Sequence, residues 1–399
     1  CIRDSTEVER IPCTKEFKEK VIKAYFGDSQ VYYYDYAHMT KKELEEIIET
    51  LDRDNNSLSD DASEEILKWH DDMKTECTKA LETAADVWTE ATEYDSCDDF
   101  VGKIGDTWFH LQFSRPDDDN SVLSGIQSYP LDRCVKSVSD GDPDERSTKF
   151  DDGYVKQYYG PKSLKEYDTV RYLNGDFIDG DLPVSDVNEA NISFDEAKKK
   201  AGDFMQAIGI ESMIKTGESD CEWEGYNKTE DNVYKEGDVH RAIWGYALEY
   251  SLGADDVVYS KSLNVFDYSA YNKFCPMDCP GYETGSFNVN EYGVYRFDIA
   301  EPVSIVKKQQ KVELLPVSNI YKIARNELES HPDKYIVEAD TQYRYLTLGY
   351  IRVKDSSDSQ RFSYIPAWSL ELLQRGEVES CPVFVNAIDG TVIEPEQIF

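Results

Sequence analysis

Residues 192–210 read ISFDEAKKKAGDFMQAIGI, and this stretch predicts an amphipathic helix more clearly than any other in the chain. Ser193 and Glu196 match a capping box, in which each side chain accepts a hydrogen bond from the other residue's backbone N–H. Gly209 stands where a helix needs a residue in the left-handed conformation to end. Apolar side chains recur at helical spacing, at Phe194, Ala197, Ala201, Phe204, Met205 and Ile208. One face of this helix should therefore pack on a sheet.

Antiparallel strands are predicted after this helix. Alternation of apolar and polar residues indicates strands at 240–252, 293–306 and 311–315. An insertion is expected between Tyr259 and Gly293. The unit therefore reads as one helix lying on a small sheet.

The same order returns in the last part of the chain. Residues 315–332 predict a helix that Pro332 ends. Its inward face should carry Val317, Ile320, Tyr321, Ala324 and Leu328. Strands are predicted at 343–355, 361–371 and 383–393. Within the last of these, Asp389-Gly390 predicts a hairpin turn.

The N-terminal part mixes helices and strands. Helices are predicted at 14–27, 40–51 and 63–84, a strand or extended connector at 31–39, and a strand at 107–114. The inward residues of the first two helices are Phe17, Val21, Ile22 and Tyr25, then Leu44, Ile47, Ile48 and Leu51. The polar, Asp-rich residues from 115 to 153 predict a loop.

These patterns predict an α+β protein with three domains, as expected for 399 residues. Residues 1–181 form a mixed α/β domain with a tether segment for lipid. Residues 182–315 form a first helix-plus-sheet unit, whose insertion contains cysteines. Residues 316–399 form a second, similar unit.

Several segments carry a family resemblance. Residues 192–210 resemble the opening helix of PepSY-like units. The strand segments LTLGYIRVK, YIPAW and VFVNAIDGTVI resemble the last strands of YycI-type and YycH-type extracytoplasmic domains. Within that group, over residues 190–399, the chain is most similar to lipoproteins of Gram-positive bacteria with no assigned activity. The resemblance implies helix-on-sheet domains outside the membrane that bind or restrain other proteins, and it brings no catalytic residues.

The sequence departs from that family in one respect. YycH and YycI proteins carry a transmembrane helix, whereas no run of about 18 apolar residues stands in this sequence. Control of a membrane kinase therefore does not follow from the resemblance.

The net charge of -37 disfavours anionic partners. The chain has 80 Asp and Glu against 43 Lys and Arg, so it repels nucleic acid phosphates and anionic lipid surfaces at long range. Nucleic acid is therefore not expected as a partner. Association with the membrane is expected only through a lipid anchor.

The cysteines suggest that the protein is located outside the cytoplasm. The chain starts at Cys1, which is similar to the lipid-bearing cysteine of a bacterial lipoprotein; an arbitrary start is the alternative. The eight other cysteines could form up to four disulfides or stay free. Only Cys275 and Cys279, in CPMDC, lie close enough in sequence to suggest a local disulfide. They match neither a CxxC redox motif nor a zinc site.

Catalytic signatures are missing from the sequence. No nucleophile elbow, zinc-protease motif, phosphate-binding loop or dinucleotide fingerprint is present, and the five histidines are widely spaced. We expect no catalytic residue, no metal and no cofactor. The acidic segments starting at Asp52 and Asp140 partly match a calcium loop but lack its glycine, so solvated loops are favoured. The aromatic clusters VYYYDY (31–36) and KQYYG (156–160) could stack on a ligand or simply pack within sheets.

The favoured interpretation is a non-catalytic lipoprotein on the outer face of the cytoplasmic membrane that binds an unknown envelope protein. A small-ligand or carbohydrate-binding surface protein is the first alternative, and an enzyme with an unrecognised site is the second. The last strand, Val383–Ile388, is expected to offer an exposed edge to an incoming strand of the partner. Glu394 and Glu396 beside it could instead prevent aggregation.

Overall fold

The structure is a computed structural model. It describes residues 6–57, 64–95, 97–105, 107–116, 121–130, 169–174, 187–210, 213–226, 240–254, 257–259, 283–308, 312–332, 342–355, 358–374, 377–394 and 397.

Five helices lie within these residues: α1 (Lys15–Phe26), α2 (Lys41–Ser57), α3 (Glu64–Leu81), α4 (Phe194–Ile208) and α5 (Val317–Ser330). Sixteen strands lie within the same residues: β1 (Thr6–Arg10), β2 (Val31–Tyr33), β3 (Asp99–Ile104), β4 (Thr107–Ser114), β5 (Gly125–Pro130), β6 (Thr169–Asn174), β7 (Met213–Tyr226), β8 (His240–Ala254), β9 (Val257–Val258), β10 (Thr284–Asn290), β11 (Gly293–Ala300), β12 (Val303–Lys308), β13 (Gln342–Asp355), β14 (Asp358–Gln374), β15 (Glu377–Asn386) and β16 (Val392–Ile393). The strands that pair do so in antiparallel fashion, and the expected α+β class is confirmed.

The helix over residues 192–210 forms as its local sequence predicts. Ser193 N donates to Glu196 Oε2 at 2.9 Å, and Glu196 N donates to Ser193 Oγ at 3.3 Å, so both bonds of the capping box are present. Gly209 ends α4 with a φ of 85°. Phe194 is only partly buried, while the other five inward residues are buried.

One helix followed by a four-stranded antiparallel meander occurs three times. Unit 1 is α1 with β2, β3, β4 and β5; unit 2 is α4 with β7, β8, β10 and β11; unit 3 is α5 with β13, β14, β15 and β16. Units 2 and 3 are the two copies that the sequence indicates. Unit 1 repeats the same order within the segment expected to be a mixed domain, with α2 and α3 inserted between β2 and β3.

The three helices also share a burial register. The fourth, eighth and twelfth positions after the N-cap residue are buried in each helix: Lys18, Ile22 and Phe26 in α1, Ala197, Ala201 and Met205 in α4, and Ile320, Ala324 and Leu328 in α5. These positions recur every four residues, so they lie along one stripe of the helix surface. Lys18 is the one charged residue among the nine.

Units 1 and 2 meet through their fourth strands and their helices. Strand β5 pairs antiparallel with β11, with Ser128 opposite Phe297, which joins the two meanders into one sheet. Helices α1 and α4 pack together, and the Tyr25 and Phe204 rings lie 6.2 Å apart. The Tyr25 hydroxyl donates to the Tyr295 carbonyl at 2.8 Å and accepts from Ser128 Oγ at 2.7 Å. One hydrophobic core serves both units.

The boundary expected at residue 181 lies outside the described residues, and the division into domains stays a prediction. Strands on both sides of it pair directly, because β5 and β6 belong to the same sheet as β7 and β11.

Unit 3 is attached through the N-terminal strand. Strand β1 pairs with β12 on one side and with β14 on the other. A buried ion pair lies next to this junction, with Arg352 Nη1 3.2 Å from Glu283 Oε1, and Tyr364 donates its hydroxyl to the same carboxylate. The residue Glu283 is fully buried. These contacts hold unit 3 against unit 2.

Other local expectations were wrong. Residues 312–315 form no strand, because the Leu315 N–H donates to the Ala387 carbonyl and leads the chain into α5. The expected loop at 115–153 contains β5, and the expected insertion after Tyr259 contains β10. The polar residues that suggested a loop are members of these strands: Gln127 and Ser286 lie on the side away from the core, whereas Ser128 is buried and donates to Tyr25.

The strand expected to be an edge is also covered. In the closing hairpin, β16 pairs with β15 at Phe384 and Val385, so that β15 lies between β14 and β16. Gly390 takes a φ of 80° in the turn. In α5, Val317 is 51% exposed instead of turned inward.

Candidate functional site

The sheet of unit 1 carries a row of aromatic side chains on the side opposite α1. Along β4, Phe109, Leu111 and Phe113 enter the shared core, and the alternating residues therefore point to the other side. We call that row the aromatic face and define it by Tyr32, Tyr34, Trp88, Trp108, His110 and Tyr129. Strands β2, β4 and β5 supply four of these residues, and the chain between β2 and β3 supplies Tyr34 and Trp88.

The rings of the aromatic face are in continuous contact. Trp88 and Trp108 lie 4.7 Å apart between ring centroids, and Tyr32 lies 5.9 Å from Trp88 and 5.7 Å from Trp108. Tyr34 then connects Trp88 to His110, at 6.1 and 5.0 Å. His110 lies 4.8 Å from Tyr129. Edge-to-face arrangements of this kind are favourable for aromatic pairs.

Most of these rings keep part of their surface open to solvent. Tyr32, Tyr34, Trp88 and Trp108 are each partly exposed, and Tyr129 is 37% exposed. A contiguous, partly exposed aromatic patch is the kind of surface that marks binding sites in soluble proteins.

Helix α2 orients one of the tryptophans. The Trp88 indole donates from Nε1 to Glu43 Oε2 at 2.8 Å. Glu43 is held in turn at the start of α2, where Thr40 Oγ1 and Thr40 N both donate to the same carboxylate oxygen. The capped start of α2 thus holds the carboxylate that accepts from the Trp88 indole.

A hydrogen-bonded relay runs through the polar end of the aromatic face. His110 Nε2 lies 2.9 Å from Asp99 Oδ1, and His110 Nδ1 lies 2.5 Å from the Tyr129 hydroxyl. Gln112 Nε2 also donates to Asp99 Oδ1 at 2.9 Å, and Gln127 donates to Gln112. The tautomer of His110 that donates from Nε2 to the Asp99 carboxylate leaves Nδ1 to accept from the Tyr129 hydroxyl.

This relay has the geometry of a base oriented by a carboxylate, but its phenol is not activated. Burial, and then the charge of Asp99, raise the pKa of Tyr129. The phenol therefore keeps its proton at neutral pH and serves as a hydrogen-bond donor to His110.

Thiols around this region are likewise held protonated. Burial raises the pKa of Cys97 to about 12, and burial also raises the pKa values of Cys77 and Cys13. For Cys13 the charges of Lys18 and Arg115 oppose that rise without overcoming it. Reactive cysteines need a lowered pKa, so none of these three thiols has the character of a nucleophile.

A buried lysine occupies the stripe of α1 that faces its sheet. The Lys18 side chain is 1% exposed, and its Nζ lies 2.6 Å from Asp98 Oδ1. It also donates to the carbonyls of Tyr94 and Cys97, at 3.0 and 2.7 Å. Arg115 Nη2 donates to the same oxygen of Asp98 at 2.6 Å. The charge is fully paired and hydrogen bonded, which is the arrangement expected of a structural buried lysine.

Some of the residues singled out from sequence lie outside the described ranges, and others lie within them. Cys1, Cys275 and Cys279 lie outside the described residues, as do KQYYG and the segment that starts at Asp140. Lipidation and the local disulfide stay predictions. The cysteines Cys13, Cys77, Cys97 and Cys221 carry free thiols.

The cluster VYYYDY is divided between two faces. Tyr33 is buried in the core, whereas Tyr32 and Tyr34 belong to the aromatic face.

The first candidate calcium loop starts inside α2, because Asp52 and Asp54 lie in that helix. Within the described ranges no group of His, Cys, Asp and Glu is arranged to hold a metal ion.

Sequence reasoning missed most of the relay. The alternation in TWFHLQFS could have placed Trp108, His110 and Gln112 on one side. Asp99 and Tyr129 lie in β3 and β5, two strands without a clear alternating pattern, so nothing in the sequence brought them to His110.

None of the helices in the described part of the chain is long and apolar enough to cross a membrane.

Comparison with known proteins leaves the family open. No protein-family model and no curated protein matches this chain. Among solved structures, the chain is similar to an uncharacterized protein from Eubacterium rectale ATCC 33656, with 12% sequence identity and a TM-score of 0.36. That similarity covers 98% of this chain and 86% of the other. The resemblance to YycI-type and PepSY-like domains stays a prediction.

Proposed function

We propose that this protein is a non-catalytic binding protein that holds a protein partner on the aromatic face. The observation that carries the proposal is the contiguous row of partly exposed tyrosine and tryptophan rings on unit 1. Tyrosine and tryptophan dominate the binding energy of protein interfaces, because each buries a large area at a low entropy cost.

The chemistry near the rings favours binding over turnover. Tyr129 belongs to the relay and Cys97 donates to the Asp99 carbonyl beside it, and the pKa of each is raised. A covalent mechanism would need the opposite shift. The polar groups are therefore better suited to accept and donate hydrogen bonds to a bound partner.

A carbohydrate ligand is the second candidate. Gln127 and Tyr129 lie beside the rings, and amide and phenol groups next to aromatic faces would also suit sugar hydroxyls. The same variants test both candidates.

The test uses one variant on the face and one matched control. Trp108→Ala removes a ring at the centre of the aromatic face, whereas Trp69→Ala removes a more exposed tryptophan, 56% exposed, on α3. Each purified protein is used as bait in an extract of the source organism, and a recovered partner is then purified and titrated by calorimetry. We expect binding to be lost in Trp108→Ala and kept in Trp69→Ala.

Three results would count against the proposal. Equal binding by a Trp108→Ala protein that melts like the wild type would remove the aromatic face from the interface. Calorimetric binding of a neutral oligosaccharide that depends on Trp108 would replace the protein partner with a carbohydrate. Turnover of any substrate in a broad hydrolase panel that Tyr129→Phe abolishes would make the relay catalytic.

A further inference from the structure

An ammonium group already occupies one face of Trp108. Lys103 Nζ lies 5.0 Å from the centroid of the Trp108 ring, and the two residues stand opposite each other in the β3–β4 pair. Lys103 is exposed, and it makes no ion pair within the described residues. The contact is a cation–π interaction, in which the negative face of the indole attracts the positive charge.

The surroundings of this ring are acidic. Glu43 accepts a hydrogen bond from Trp88, and Asp99 is hydrogen bonded to His110, so two carboxylates lie in direct contact with the rings. After burial, the charge of Asp99 is the cause that raises the pKa of Tyr129. With a net charge of -37 on the whole chain, the field at this face attracts cations and repels anions.

The packing of the rings decides where a cation could lie. Tyr32, Trp88 and Trp108 touch one another, with all three centroid distances below 6 Å. No space between them could enclose an ammonium or guanidinium group. The face of Trp108 that Lys103 covers is, by contrast, already shown to accept an ammonium group.

Resting on the proposed function, we propose that the partner presents a basic segment, and that one of its lysine or arginine side chains replaces Lys103 on Trp108. Lys103 is then an internal competitor for the site. Because its side chain is long and exposed, it can leave the ring at little cost when the partner binds. The remaining basic residues of the segment are drawn by the acidic surface.

Removal of this surface lysine is expected to raise the binding affinity instead of lowering it. Lys103→Ala removes the competitor and should tighten binding of a basic peptide by about twofold to fivefold, the size of an exposed cation–π contact. Because Lys103 and the partner's cation both lose their contact when the ring is removed, Trp108→Ala should abolish this gain: in the Lys103→Ala background it should weaken binding by about twofold to fivefold.

The probe is a short fluorescent peptide of alternating lysine and glycine, measured by anisotropy with the whole chain. A matched peptide carries glutamine in place of lysine. Lys199→Ala is the charge control, because Lys199 is exposed on α4 and its removal changes the net charge by the same amount as Lys103→Ala. Trp69→Ala is the aromatic control. Raising NaCl from about 25 mM to about 300 mM should weaken binding of the lysine peptide, since exposed charges are screened.

The expected result is binding of the lysine peptide only, tightened by Lys103→Ala, weakened by Trp108→Ala in the Lys103→Ala background and unchanged by Trp69→Ala. Lys199→Ala should change it by less than Lys103→Ala does. Equal binding of the glutamine peptide, or equal effects of Lys103→Ala and Lys199→Ala, would overturn the proposal. If the purified partner needs Trp108 while Lys103→Ala leaves its affinity unchanged, the basic segment is wrong and the proposed function stands. If the partner does not need Trp108, the proposed function itself fails.

Discussion

Removal of one hydroxyl group from Tyr25 tests how units 1 and 2 are joined. Tyr25 is buried between α1, α4 and β11, and its ring contacts Phe204 and Phe297 at 6.2 and 5.1 Å. Tyr25→Phe keeps the ring and removes only the oxygen. The substitution therefore leaves the aromatic packing in place and deletes one hydrogen bond that crosses to unit 2, at Tyr295, and one within unit 1, at Ser128.

The magnitude follows from the two hydrogen bonds of that hydroxyl. It donates to the Tyr295 carbonyl at 2.8 Å and accepts from Ser128 Oγ at 2.7 Å. A typical internal hydrogen bond contributes about 1 kcal/mol, and a buried group left without a partner costs about 1 to 3 kcal/mol. We expect Tyr25→Phe to lower the free energy of unfolding by about 2 to 3 kcal/mol.

Urea unfolding followed by circular dichroism measures this loss. The control is Tyr292→Phe, since Tyr292 is 65% exposed and its substitution should change stability by less than about 0.5 kcal/mol. In the Tyr25→Phe background, Ser128→Ala should cost less than it does in the wild type, because the contact between these hydroxyl groups is already gone. A loss below about 0.5 kcal/mol for Tyr25→Phe, or additive losses in the double variant, would refute the role given to this hydroxyl.

Three further predictions concern the N-terminal unit. Lys18→Met should lower the free energy of unfolding by about 2 to 4 kcal/mol, because the carbonyls of Tyr94 and Cys97 lose their donor; unchanged urea unfolding would contradict this. The pKa of Cys97 is raised to about 12, so the native thiol keeps its proton where the unfolded chain releases it, and stability should fall as pH rises above about 8.5 by at most about 1.4 kcal/mol per pH unit. Cys97→Ala should flatten that part of the alkaline stability profile, and an identical slope in wild type and variant would show that another group causes it. Gly102→Val should destabilise by about 1 to 3 kcal/mol, because even a Cβ there would lie 2.7 Å from the Phe26 ring; a melting temperature equal to that of the wild type would mean that α1 can move away from β3.

Local signals in the sequence predicted the helices well. The capping box at Ser193 and the stop at Gly209 act through backbone groups within a few residues, so they could be read without knowing the fold. The same holds for the hairpin turn at Gly390. Long alternating strands such as β4 and β13 were recognised for the same reason.

Periodicity was less informative where a charged residue lies in the core. Counting apolar residues on α1 found Val21, Ile22 and Tyr25 but passed over Lys18, which shares their buried face. Its partners, among them Asp98 and the carbonyl of Tyr94, come from a segment about 80 residues later. A sequence pattern cannot show that a charge will be neutralised by groups so far along the chain.

The sequence by itself determined the α+β fold class, the positions of the helices, and the repeated order of helix and strands in units 2 and 3. These features depend on contacts within short stretches of chain. The tertiary structure alone decided that unit 1 is a third copy, that its fourth strand pairs with the fourth strand of unit 2, and that Asp99, His110 and Tyr129 meet. Ser128 and Phe297 are paired across 169 positions of sequence. Such pairing depends on which strand edges and helix faces remain to be buried once each unit has formed. Those edges and faces are set by the packing of the whole chain and not by the sequence of one segment.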